Sequence, residues 1–311
     1  MSKSSRNKTI STSIEEGKDF LARCVKFNET NRKDFPFLNK TILGDMLEVC
    51  PRLPPQCADL IITDPPYNLT KSFNGNVFGK KSMEKYAQYT RTWLNVLLPL
   101  LKENGTIYVC CDWNSSLVIG SVLQESLYVR NRITWQREKG RGAVTNWKNS
   151  MEDIWFATKS NNYTFHLDAV KIRRKVIAPY RADGTPKDWC ETPDGNYRDT
   201  CPSNFWDDIT VPFWSMPENT LHPTQKPEKL MAKLILASSS ENDVILDPFA
   251  GSGTTAVTAK KLHRNYIGIE KEAQYCVWAE QRLAMAETSS FIQGYSDGVF
   301  YERNSAPSHG N

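Results

Sequence analysis

The chain has 311 residues, 40% hydrophobic and 24% charged, with a net charge of +4 at neutral pH. That is enough chain to bury a substantial core, and the mild positive charge permits a polyanionic partner without identifying one. Eight cysteines (24, 50, 57, 110, 111, 190, 201 and 276), none in a Cys-x-x-Cys spacing, leave metal and redox motifs unsupported; with no secretory pattern and no apolar run near the ~18 residues of a membrane span, the chain reads as an intracellular protein with reduced thiols.

Residues 1–38 start polar and basic (Lys3, Arg6, Lys8), carry an expected helix over 13–26, and read as a partly disordered extension. A short strand over 41–43 ends at Gly44-Asp45, with Asp45 placed to cap the helical segment that follows. The apolar strand 58–63 then stops abruptly at Asp64-Pro65-Pro66-Tyr67, because proline fixes φ and has no amide hydrogen to continue a ladder. This stiff loop displays a carboxylate, carbonyls and an aromatic ring at the carboxyl end of a strand, where open α/β sheets bind ligands. Such a set suits a planar base with an exocyclic amine: Asp64 and a proline carbonyl accept the amine hydrogens, and Tyr67 stacks on the ring.

Residues 68–81 are rich in Asn, Gly and Lys, which suggests a mobile segment able to close over a substrate. The apolar spacing of Tyr86, Tyr89, Trp93, Leu97 and Leu101 predicts a helix, mostly core, followed by a strand over 106–110. A strand over 132–135 leads into 136–149, where Arg137, Lys139, Arg141, Asn146 and Lys148 surround glycines and Trp147. That mixture suits a loop gripping phosphates and stacking on an unpaired base, or else a charged solvent loop. Glu152 opens the next strand, 154–157.

Residues 160–220 break the α/β rhythm, with a basic cluster at Lys171, Arg173, Arg174 and Lys175. His222-Pro223-Thr224-Gln225-Lys226-Pro227 precedes a helix over 228–238; a lone His near a helix start is given no proton-transfer role. The strand 243–246 runs into Asp247-Pro248-Phe249-Ala250-Gly251-Ser252-Gly253-Thr254-Thr255, a glycine turn that lets a cofactor approach the backbone at a helix N-terminus. The strand 265–269 ends at Glu270, placed to accept both ribose hydroxyls of a nucleoside. A helix over 272–287 and a loose tail, 288–311, complete the chain.

The two loops, in this order and with matching flanks, resemble the amino-methyltransferases of DNA that use S-adenosylmethionine. The order looks like their beta class, and residues 128–226 look close to the RsrI type of adenine methyltransferase. The resemblance covers about residues 40–285 and implies a Rossmann-like α/β methyltransferase fold: a mostly parallel seven-stranded sheet in permuted order, with a catalytic half (39–159), an inserted target-recognition region (160–220) and a cofactor half (221–287). Carried over residue by residue, it implies a catalytic set of Asp64, Pro65, Pro66 and Tyr67, bordered by Glu152. The implied cofactor set is Asp45, Asp64, Thr224, Lys226, Asp247, Phe249, Ala250, Gly251, Ser252, Gly253, Thr254 and Glu270, with Thr224 and Lys226 at the cofactor's carboxylate. The DNA-contacting set is Arg137, Lys139, Arg141, Asn146, Lys148, Lys171, Arg173, Arg174 and Lys175, and residues 1–38 are alternatively an arm on DNA.

The implied reaction is methyl transfer to the N6 amine of adenine in a short duplex sequence, with the base flipped, duplex DNA as partner, a homodimer and a separate companion endonuclease as further partners, and no metal. N4-cytosine transfer is the alternative; Asp64 favours adenine, since a Ser at this place mostly accompanies cytosine in that family. Carbon-5 chemistry lacks its Pro-Cys dipeptide. A nucleotide hydrolase is excluded because Thr254, and no lysine, follows Gly253. A dinucleotide oxidoreductase or a non-catalytic DNA-binding regulator would leave one of the two loops without a role.

Overall fold

Leu60 and Ile62 point to one face of their strand and Ile61 to the other, yet all three are buried, which requires a sheet covered on both sides. In the computed structural model, which describes residues 6–30, 34–73, 76–137, 144–176, 181–192 and 195–302, that sheet has seven principal strands. They are β1 (Lys40–Leu43), β2 (Ala58–Thr63), β3 (Leu101–Cys111), β4 (Tyr128–Gln136), β5 (Met151–Thr158), β6 (Val244–Asp247) and β7 (Asn265–Glu270), in the spatial order β1-β7-β6-β2-β3-β5-β4. Two-residue strands, Val25–Lys26 beside β1 and Phe205–Trp206 beside β4, extend the two edges in parallel. Only β5 runs against its neighbours, so the sheet is mostly parallel, as expected.

Five helices cover it: α1 (Met83–Leu97), α2 (Trp113–Leu123), α3 (Glu228–Ser238), α4 (Thr254–Lys261) and α5 (Ala273–Met285). Leu60, Ile62 and Ile245 pack with Leu230 and Leu234 of α3 and Val257 of α4. Ile61, Val109 and Leu246 pack on the other face with Trp93 and Leu97 of α1 and Ile119 of α2. Each such side chain contributes roughly 1.5–3 kcal/mol by leaving water. Capping agrees with the local sequence: the Ser82 hydroxyl accepts from the Lys85 amide at the start of α1, and Asp112 accepts from Asn114 and Ser115 at the start of α2.

Two segments differ from expectation, and a third gains detail. Over its described residues, 288–302, the tail is not loose: Tyr295–Ser296 and Val299–Tyr301 pair as a hairpin, Val299–Tyr301 runs parallel to Ile172–Lys175, and Phe300 is fully buried. Its apolar Phe300 finds partners on α3 and in the inserted region. There, Cys190–Thr192, Gly195–Thr200 and Ile172–Lys175 complete a five-stranded second sheet. The described residues of the N-terminal extension are also packed on the domain. Ile10 bridges to Thr220 and is buried with Tyr275, Val277 and Trp278, and the expected long helix shrinks to Lys18–Leu21, which packs on α5. Finally, within 68–81 the chain forms an antiparallel pair, Lys71–Phe73 with Asn76–Phe78. Among the described residues no helix is long and apolar enough to cross a membrane.

Candidate active site

Strand register builds the site. Ile61 pairs with Leu246, Leu246 with Ile267, and Ile269 with Ile42, so the carboxyl ends of β2, β6, β7 and β1 lie in one row. Asp64, Phe249, Glu270 and Asp45 follow those ends and border one cleft of about 340 Å³. The crevice lies outside the carboxyl ends of parallel strands, the general ligand site of an open α/β sheet.

One wall is the glycine turn. Gly251 has φ 52° and lies under the His222 ring, whose Nε2 would be 3.0 Å from an added Cβ, so only a bare backbone leaves room here. Gly253 has φ 76° at the start of α4, and a Cβ there would come within 2.6 Å of the Ala279 methyl; its smallness serves the approach of α5. Glu270 accepts from the Gly251 and Glu272 amides, each at 2.8 Å, and burial pushes its carboxyl above the ordinary value against the pull of those amides. Each oxygen keeps a lone pair for a hydroxyl. Asp45 caps the short helix Met46–Val49 through the Leu47 amide while bordering the cleft.

The other wall carries the reactive loop. The Tyr67 hydroxyl donates to Asp64 Oδ1 at 2.7 Å and lies 3.2 Å from Glu152 Oε2. Burial, then the charges of Asp64 and Glu152, push its ionisation well above the usual phenol value, so it remains a donor. Tyr86 donates its hydroxyl to the Pro66 carbonyl at 3.1 Å, and Asn68 is pinned by Ser115 and by the Lys81 backbone. The loop is therefore fixed from α1, α2 and the segment after it.

The expected site residues divide. Asp45, Asp64, Pro65, Pro66, Tyr67, Thr224, Phe249, Gly251 and Glu270 border the cleft. Asp247, Ala250, Ser252, Gly253 and Thr254 lie behind it: Asp247 accepts from the Thr255 hydroxyl and the Phe249 amide, while Arg282 donates to Ser252 O and Thr254 Oγ1. Lys226, expected at a cofactor carboxylate, stands behind the reactive loop: its ammonium donates to Asp64 Oδ2 at 2.5 Å and to the Tyr67 hydroxyl at 3.1 Å, with Glu152 Oε2 at 3.3 Å. Although burial by itself disfavours an ammonium, Asp64 and Glu152 hold it above the ordinary lysine value.

The expected DNA-contacting residues differ in their surroundings. Arg137 turns inward and donates to Glu152 Oε1, because Glu152 is a buried carboxylate that needs a cation. Arg173 is bidentate to Asp199, Arg174 pairs with Glu302, and Lys171 pairs with Asp168. Lys175, Asn146 and Lys148 are exposed, as is Trp147 at 93%, and Lys139 and Arg141 lie outside the described residues. Sequence reading missed Leu47, His222 and Tyr275 in the cleft wall, and placed Tyr89 and Trp93 on a core face without assigning them to the site. Helical spacing cannot tell a core face from a cleft wall. The His222 ring meets the Tyr275 ring edge-on at 4.5 Å.

The cleft fits S-adenosylmethionine: an apolar wall for the adenine and methyl, a bare glycine backbone, and an acid at the ribose end. A fold and a pair of loops of this kind define a methyltransferase that uses that cofactor. The family described as DNA methylase, of the N6 and N4 type, matches residues 58–281, and the chain belongs to it. The type II methyltransferase M.HpaI of Haemophilus parainfluenzae is 34% identical over 247 residues, 78% of this chain and 74% of that protein. The DNA adenine methyltransferase YhdJ of Escherichia coli (strain K12) is 33% identical over 254 residues, 79% of this chain and 83% of that one. Among solved structures, the M1.HpyAVI-SAM complex superimposes with a TM-score of 0.54 at 26% identity, covering 78% of this chain and 98% of that chain. The PvuII DNA methyltransferase (cytosine-N4-specific) shares the fold, with a TM-score of 0.58 at 16% identity, covering 81% and 92%.

Proposed function

We propose that this enzyme transfers the methyl group of S-adenosylmethionine to the N6 amine of adenine turned out of duplex DNA, and that it is a beta-class methyltransferase of the RsrI type. The observation that carries the reading is Asp64, one strand from the glycine turn, in a loop whose Pro66 carbonyl is already engaged by Tyr86. Asp64 and the Pro65 carbonyl are then the acceptors for the two amine hydrogens. The relative named as a DNA adenine methyltransferase supports adenine over cytosine.

Bound at the glycine turn, the cofactor supplies an electrophilic methyl on a sulfonium and leaves as a neutral thioether. The amine lone pair is delocalised into the base, so it attacks poorly until its nitrogen turns tetrahedral. Asp64 stabilises the positive charge that develops on nitrogen as the N–C bond forms and the S–C bond breaks, and the proton leaves nitrogen after the methyl has arrived. Extruding the base costs a few kcal/mol, of which stacking on Tyr67 recovers about 1–3 kcal/mol. The inserted region and the loop bearing Trp147, with Asn146, Lys148 and Lys175, form the DNA-facing surface of this reading. Its type II context, suggested by the M.HpaI relative, extends the proposal to a companion endonuclease and a homodimer on a short palindrome.

Transfer from labelled S-adenosylmethionine to unmethylated genomic DNA, digested to nucleosides, tests it. Label in N6-methyladenine is the expected result. Label in N4-methylcytosine overturns the base assignment, and no label in DNA overturns the function.

A further inference from the structure

The salt bridge between Lys226 and Asp64 sits where the proposed reaction needs an open acceptor. Both oxygens of Asp64 already hold a donor, the Tyr67 hydroxyl on Oδ1 and the Lys226 ammonium on Oδ2. Each oxygen keeps a second lone pair for a target amine, so the conflict is one of charge and not of acceptor sites. Tyr67 is neutral and can stay. Lys226 cannot stay unchanged, because the amine nitrogen becomes positive beside the same carboxylate, and like charges repel strongly in a buried site. A second anion stands ready: Glu152 Oε2 is 3.3 Å from the ammonium, while Arg137 holds Glu152 by its other oxygen.

We infer that Lys226 is a positioning residue whose ammonium keeps the seat of the target amine on Asp64 while no base is bound, and passes to Glu152 when the amine arrives. This rests on the reaction proposed above. Four charges balance here, Asp64 and Glu152 against Lys226 and Arg137, which removes the cost of two buried carboxylates facing each other. Once the ammonium has moved less than the length of a hydrogen bond, Asp64 faces the amine uncovered, just as that nitrogen becomes cationic. The other titratable groups facing this set are Tyr67 on its own loop, Cys110 on β3 and Asp247 at the end of β6. Burial and Asp64 keep the Cys110 thiol protonated, so it brings no further charge.

Two measurements test the inference: a crystal structure of the S-adenosylmethionine complex without DNA, and the pH–rate profiles and cofactor affinities of the wild type, Lys226→Met and Lys226→Arg, with melting temperatures as the check on folding. The ammonium is expected to remain on Asp64 with the cofactor bound. Lys226→Met should bind the cofactor within about threefold of wild type and lose roughly ten- to a hundredfold in kcat, the scale of a charge-assisted hydrogen bond. Its acid limb should move to higher pH, since two buried carboxylates without their cation hold a proton more tightly. Lys226→Arg should return that limb toward wild type while kcat stays low, because a planar fork cannot swing as a point charge does. An ammonium found on the cofactor carboxylate, cofactor affinity weakened by about tenfold or more, or a rate lowered in parallel at every pH would each overturn the inference. A wild type that labels no base in DNA refutes the reaction itself, and the crystal position of the ammonium still decides where it rests.

Discussion

Replacing Asp208 by alanine should destabilise the whole molecule, because this residue of the inserted region is the anion for two buried lysines of α3. Lys233 donates to Asp208 Oδ1 and Oδ2 at 2.8 and 2.9 Å and lies against the Trp206 and Phe300 rings; Lys229 pairs with Oδ2 at 2.8 Å and also reaches the backbone carbonyls of Asp208 and Tyr301. Burial alone would raise the Asp208 carboxyl, but Lys233 and Lys229 together hold it below the usual carboxylate range. In Asp208→Ala, Lys229 keeps its two carbonyls. Lys233, 1% exposed, loses its salt bridge. Breaking one partner out of a buried pair costs about 3–5 kcal/mol, which for a chain of this size is a fall in Tm of roughly 10 °C. Urea and thermal unfolding should show that loss, with a smaller one for Asp208→Asn, which keeps an acceptor without the charge. Asp208→Ala combined with Lys233→Met should recover most of it, since an apolar side chain of similar length suits the Trp206 and Phe300 rings. A single variant within about 1 kcal/mol of wild type, or a double variant no more stable than the single, would refute the account of this cluster as a buried clamp between α3, the inserted region and the C-terminal hairpin.

Other expectations concern the site. Asp64→Ala should lower kcat about 10²–10³-fold or more while cofactor affinity, read by calorimetry, stays near wild type; Tyr67→Ala should lose less, and retained turnover in the first would sink the proposed mechanism. Gly251→Ala places a methyl 3.0 Å from the His222 ring at φ 52°, so S-adenosylmethionine binding should weaken by about tenfold, an αL alanine alone costing about 1–2 kcal/mol. Burial pushes the Asp247 carboxyl up to about 7. A carboxyl raised above its unfolded value binds its proton more tightly in the folded state, so its contribution is present below about pH 4 and is lost as pH rises toward 7. Asp247→Asn should therefore flatten the decline of stability across that window by up to about 1.4 kcal/mol per pH unit. Glu218, pushed up to about 7 by burial and Glu228, and Glu270, raised in the same direction, retain part of the slope; an unchanged slope in chemical unfolding at pH 4.5 to 7 would count against Asp247 as a source.

The two loops were legible in the chain itself because each is a local contrast. Apolar β-formers stop at prolines in one case and at paired glycines in the other, and φ restrictions act on adjacent residues. The same locality made Asp45 readable as a cap, Glu270 as a strand end and α3 as a helix. Charged residues carry less local information. Arg137, Lys171, Arg173 and Arg174 look alike in sequence, yet Arg137 meets a buried carboxylate while the other three pair with acids of their own surface. The tail misled because Val299, Phe300 and Tyr301 are a run of only three apolar residues in a largely polar segment, too short to declare a strand by itself.

Local sequence determined that the apolar runs before Asp64 and Asp247 become strands, and hence that a carboxylate loop and a glycine loop each stand at a strand end. Only the tertiary structure decided that those ends are neighbours, that β5 enters the sheet antiparallel, and that Lys226 rests on Asp64, 162 residues away along the chain. The physical reason is the reach of the forces involved. Backbone torsions and caps act over a few residues, whereas a buried charge must find an opposite charge wherever sheet register brings one within hydrogen-bond distance.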